Sequence, residues 1–200
     1  TIKLLPSQWL NINYKSILNF FDDYGIDDGE KMIKILKIIT NRKLGKPELT
    51  FKELYEHSKI NFIVSASNVN RSEQVYFNYE SHPDMPVYKA LRMSTSIPIL
   101  FKPFKFEDYY YVDGGVLDPC SINYFKNQKE TLALMITGEK EKSLNSFRDF
   151  MVSVYCCPIE KIKEATYDCP NVILFDIKDI KSLNFEINDE NIKKIIKKDY

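Results

Sequence analysis

Ala90-Leu-Arg-Met-Ser-Thr-Ser-Ile-Pro-Ile-Leu-Phe-Lys-Pro103 and, after a short spacer, Tyr109-Tyr-Tyr-Val-Asp-Gly-Gly115 decide how this chain is read. The first piece is a helix end running into a loop marked by Pro98 and Pro103. The second is an aromatic strand with an acidic residue pinned where the strand turns. A carboxylate at a strand-to-turn junction is well situated for general-base chemistry. Gly114 and Gly115 behind it let the backbone turn tightly or approach another group closely.

An aspartate acting directly on a hydroxyl needs a raised proton affinity, because a free carboxylate with a pKa near 3.9 is a poor base at neutral pH. Partial desolvation raises it, and Tyr109, Tyr110 and Tyr111 are placed to supply that setting. The commoner base is a histidine oriented by an acid. His57 falls in a helix and His82 in a proline-bounded loop, so both read as structural or surface residues. Ser94 and Ser96 lack the small flanking residues that expose a nucleophilic serine at a sharp elbow. They read as closing a helix through local backbone bonds. Arg92 is placed either to meet an anionic lipid head group or, the plainer reading taken here, to sit at the surface or at a helix end. Taken alone, Asp-Gly is a common hairpin turn pair.

The ordered set Ala90, Arg92, Ser94, Ser96, Pro98, Phe101, Pro103 and Asp113-Gly114-Gly115 resembles the patatin-like acyl hydrolases. In that family an Asp-Gly-Gly or Asp-Gly-Ala motif holds the base of a serine–aspartate dyad. The Ile26-Asp-Asp-Gly29 lead into a helix is similar to the family too. The resemblance implies a three-layer α/β/α sandwich and hydrolysis of acyl esters in phospholipids or other lipids. It implies transient contact with a membrane surface, Asp113 as the base, and no metal or cofactor. Two departures stand out. Asp118 and Ser121 occupy positions where asparagine and proline are common. The family's Gly-x-Ser-x-Gly elbow is also missing: the six glycines, Gly25, Gly29, Gly45, Gly114, Gly115 and Gly138, nowhere bracket a serine that way. The expectation is therefore the C-terminal two-thirds of a patatin-like domain, incomplete at its N-terminus. Its nucleophile would lie upstream, and the 200 residues alone would be inactive.

Composition narrows the alternatives. With 28 basic and 28 acidic residues the formal charge is zero, so no phosphate attraction favours nucleic acid. No apolar run approaches a membrane span, and localisation is expected to be cytoplasmic or membrane-peripheral. Cys120, Cys156, Cys157 and Cys169 lack zinc-ligand spacing and read as buried free thiols.

The 44% apolar content fills a sizeable core in one domain over residues 1–200. Helices are expected over 13–22, 29–40, 144–157 with a stop at Pro158, and from 188. Another follows the capping box Thr50-Phe-Lys-Glu53, and one holds Ala90 and Arg92. Strands are expected at 62–69 and 74–79 as a hairpin, and at 172–175. The 131–137 run reads as a strand covered on both faces. The alternation argues for a mixed α/β fold. The rival readings are a catalytically inactive patatin-like domain that binds lipid or a partner, and a structural α/β domain in which Asp113 merely turns the chain.

Overall fold

The computed structural model describes residues 23–127, 130–137, 144–145, 147–165 and 171–176. The expected helices over 13–22 and from 188, and Cys169, lie outside these residues. Within them the chain forms two compact units, one ending at Pro119 and the other beginning at Cys120.

In the first unit β1 (Gly25–Asp27) leads to α1 (Glu30–Leu44), and α2 (Phe51–Ser58) follows. The capping box forms as expected: Thr50 accepts from the Glu53 amide at 3.2 Å and the Glu53 carboxylate accepts from the Thr50 amide at 3.0 Å. β2 (Val64–Asn68) and β3 (Glu73–Phe77) make the expected hairpin, paired from Val64 opposite Phe77 to Asn68 opposite Glu73. Next come α3 (Val87–Ser94), β4 (Ile99–Phe101), β5 (Phe104–Phe106) and β6 (Tyr109–Asp113).

Two pairings organise this unit. β1 and β4 run parallel. The four-stranded sheet, in the order β3-β2-β6-β5, is antiparallel throughout. One face of that sheet is covered by α3, whose Val87, Ala90 and Met93 recur every third residue and are buried with Ala66, Phe77 and Tyr111. Phe51 and Phe77 are wholly enclosed, each contributing about 1.5–3 kcal/mol of transfer free energy. β6 is thereby fixed between two strands and under a helix, and the turn at its end inherits that rigidity.

The second unit holds β7 (Ala133–Thr137), α4 (Phe147–Glu164) and β8 (Val172–Asp176), with β7 and β8 parallel. The mixed α/β class is what the structure has. Three local expectations are corrected. α4 passes through Pro158 instead of stopping there; the lost N–H bond is tolerated, and Ile159 immediately beyond is buried. β7 is covered on one face only: Met135 packs against Cys120 and Ile122, while Leu134 and Ile136 are exposed. Of the cysteines described, Cys120 is buried but Cys157 is exposed, because α4 turns that position outward. No helix among the described residues is long and apolar enough to cross a membrane.

Candidate active site

Asp113 is the last residue of β6 and the N-cap of a short 3-10 turn over Gly114–Val116. Its Oδ1 accepts the Gly115 N–H at 2.7 Å. Its own N–H is donated to the Ser96 carbonyl at 3.0 Å. The side chain is partly buried, and that burial pushes the carboxyl above its usual range, with the Gly115 N–H pulling the other way. The sequence expectation of a desolvated aspartate at a strand end thus has its geometry. Of the three tyrosines only Tyr111 is buried, with the Asn68 amide reaching its hydroxyl at 3.5 Å.

The turn is held from β2. Ala66 pairs with Asp113, and Ser67 Oγ lies 3.0 Å from the Asp113 carbonyl and 3.4 Å from that of Gly114. Gly114 sits so close to the strand that a Cβ there would stand 2.5 Å from Ser65 Oγ and 2.8 Å from the Ser65 carbonyl oxygen. Gly114 is therefore needed for close approach. A Cβ on Gly115 would meet only Asp113 Oδ1, at 3.0 Å. Beyond the turn, the Asp118 N–H returns to the Gly114 carbonyl at 3.0 Å and Tyr76 donates to Asp118 Oδ2 at 2.7 Å. Ser65, Ser67 and Tyr76 were not singled out from sequence. The available signal was a pair of hydroxyls two apart in Val64-Ser-Ala-Ser-Asn68, which places both on one face of an otherwise apolar strand.

Ser96 is fully buried, and its hydroxyl donates to the Arg92 carbonyl at 2.7 Å, the local backbone bond expected of it. Ser94 is the last residue of α3. His57 is exposed at the end of α2. The His82 ring packs 4.7 Å from that of Phe77, and its Nδ1 meets Ser81 Oγ. Arg92 requires a correction. It lies in the last turn of α3, as expected, but is 1% exposed and faces the interior. Nη1 meets Ser96 Oγ at 2.5 Å, and Nη2 donates to the carbonyls of Asp28 and Lys102, each at 3.0 Å. Backbone carbonyls far off in sequence provide an interior site for the guanidinium that composition does not reveal.

The profile of the family described as patatin-like phospholipase matches residues 3–126, which contain every residue of this site. Among similar proteins, "Probable lipid hydrolase 463L" of Invertebrate iridescent virus 6 is 26% identical over 86% of this chain and 56% of its own length. "Uncharacterized protein R571" of Acanthamoeba polyphaga mimivirus is 25% identical over 88% of this chain and 63% of its own. The chain thus spans about three-fifths of the length of these curated relatives. In structure, VipD from Legionella pneumophila superposes on 76% of this chain and 33% of its own with a TM-score of 0.52 and 17% identity, a likeness of fold alone. With the profile matched across well over half of its residues, the chain belongs to the patatin-like phospholipase family.

Proposed function

We propose that this chain supplies the base half of a lipid acyl hydrolase working through a serine–aspartate dyad, with Asp113 as the base. The observation that carries the reading is the Asp113 carboxylate itself. It is held by the Gly115 N–H at a strand end, and burial raises its proton affinity. A serine hydroxyl is a weak nucleophile until such a group takes its proton. Asp113 accepts that proton as the serine attacks the ester carbonyl. Backbone amides stabilise the oxyanion of the tetrahedral intermediate. The ester C–O bond breaks as Asp113 returns that proton to the leaving alcohol, and an acyl-serine remains. Asp113 then takes a proton from the water that releases the fatty acid and returns it to the serine.

Within the 200 residues no serine stands in a Gly-x-Ser-x-Gly elbow. The nucleophile is accordingly assigned to a segment of the full-length protein outside them. The substrate is a lipid ester met at a membrane surface.

The test uses full-length protein, phospholipid vesicles and a short-chain aryl ester. Asp113→Asn should lose on the order of a hundredfold or more in turnover while remaining folded by circular dichroism. A folded Asp113→Asn protein with normal turnover overturns the assignment. A wild-type protein that binds vesicles without releasing fatty acid points instead to a lipid-binding member of the family.

A further inference from the structure

We propose that Arg92 is a positioning residue for Asp113, acting through Ser96, and that Gly29 is its necessary counterpart. The inference rests on the reading of Asp113 as the base and extends it to a residue that touches no reacting atom.

Burying a guanidinium is expensive, and even a buried ion pair can often be replaced by apolar residues without loss of stability. Burial lowers the proton affinity of Arg92, with Asp27 and Asp28 opposing that effect. Its Nε is buried with no acceptor among the described residues. Stability alone does not account for such a group. What it holds does.

Nη1 meets Ser96 Oγ, and Nη2 reaches the Lys102 carbonyl. These two points bracket residues 97–101, the segment containing β4. The same Nη2 meets the Asp28 carbonyl in the β1–α1 turn. The guanidinium also lies 5.3 Å from the centre of the Phe101 ring. Between the two anchor points Ile99 has φ +75, a conformation that a β-branched residue keeps only where its surroundings over-determine it. The carbonyl of the anchored Ser96 is the acceptor for the Asp113 N–H at 3.0 Å. The chain of contacts therefore runs from the β1–α1 turn through Arg92 and Ser96 to the backbone of the base.

Gly29 makes room for it. A Cβ there would lie 2.0 Å from Arg92 Nε and 2.4 Å from Cζ. The guanidinium rests on bare backbone, at a residue whose φ of +73 already favours glycine.

The experiment compares full-length wild type, Arg92→Lys, Asp113→Asn and the double variant on a short-chain aryl ester, with folding followed by thermal circular dichroism. Lysine keeps the charge but cannot form the planar fork that serves Ser96, Asp28 and Lys102 together. The expected result is about a tenfold fall in kcat with KM within about twofold, the pattern of a displaced catalytic group. In the Asp113→Asn background Arg92→Lys should add no further loss, because both changes act through one group. Unchanged kcat in folded Arg92→Lys overturns the proposal, as do losses that simply multiply in the double variant. If Asp113→Asn retains full activity, the base assignment fails and this inference with it. Should Arg92→Lys not fold, Ser96→Ala is read instead, since it removes the Nη1 acceptor but leaves the carbonyl. A fall of about threefold in kcat that disappears in the Asp113→Asn background supports the proposal, and no fall overturns it.

Discussion

Gly114 lies against Ser65 so closely that no side chain fits between them: a Cβ on Gly114 would stand 2.5 Å from Ser65 Oγ. The two glycines after Asp113 therefore do different work. Gly114→Ala must push the turn off β2, and overpacking of this kind costs about 1–3 kcal/mol. A loss of several degrees in Tm, measured by circular dichroism, is expected. Gly115→Ala displaces only the Asp113 carboxylate, through its Oδ1. It should leave Tm within a few degrees while reducing ester turnover about tenfold. Equal effects of the two changes on Tm would contradict this division.

The pH dependence of stability follows from the raised proton affinity of Asp113. Unfolded, the carboxyl titrates at about 3.9; folded, it titrates higher. The folded state binds the proton more readily, so this group's contribution is fully present below the unfolded pKa and is lost as pH rises through the folded one. Asp113→Asn removes that loss and retains an oxygen for the Gly115 N–H. The variant should be at least as stable as wild type in urea at pH 7, with any advantage gone at about pH 3.5. A variant clearly less stable at pH 7 would show that the charged form is favoured in the fold.

Tyr76 and Asp118 offer a third check. The 2.7 Å bond joins β3 to the loop behind the base. Tyr76→Phe should cost about 1.5–3 kcal/mol, the range for a bond to a charged acceptor. Asp118→Asn retains an acceptor and should be milder in both stability and turnover. Urea midpoints and aryl-ester assays on the two variants decide it.

Thr50→Ala tests the capping box away from the site. It removes the acceptor for the Glu53 amide and should lower stability by about 1 kcal/mol with kcat unchanged. A change in kcat would couple α2 to the chemistry.

What was legible in the sequence was local. The capping box is a four-residue pattern, and the β2–β3 hairpin is set by two short runs and a turn. Asp113-Gly114-Gly115 could be seen because strand, acid and glycines are contiguous. The partners of those residues were not legible. Ser67 meets the Asp113 carbonyl across 46 positions, and Arg92 meets the Asp28 carbonyl across 64. The acceptors are backbone oxygens, which every residue carries and no composition marks. Arg92 lies at a helix end but inside rather than at the surface; that was not legible, because its side chain argues for solvent and the carbonyls that await it carry no mark in the sequence. Pro158 misled for a related reason: a proline signals a helix end locally, but burial of the next residue is a tertiary fact.

β6 lies between β2 and β5: Tyr111 is paired on both sides, and Asp113 pairs with Ala66 on one side while its N–H meets the Ser96 carbonyl. Amide hydrogens on such a strand exchange with solvent only when the sheet comes apart, whereas those of loops and helix ends exchange through small local openings. The Asp113 N–H, docked on the Ser96 carbonyl, is expected in the slow class. Exchange at this position should therefore report on opening of the sheet that carries the carboxylate rather than on small local openings.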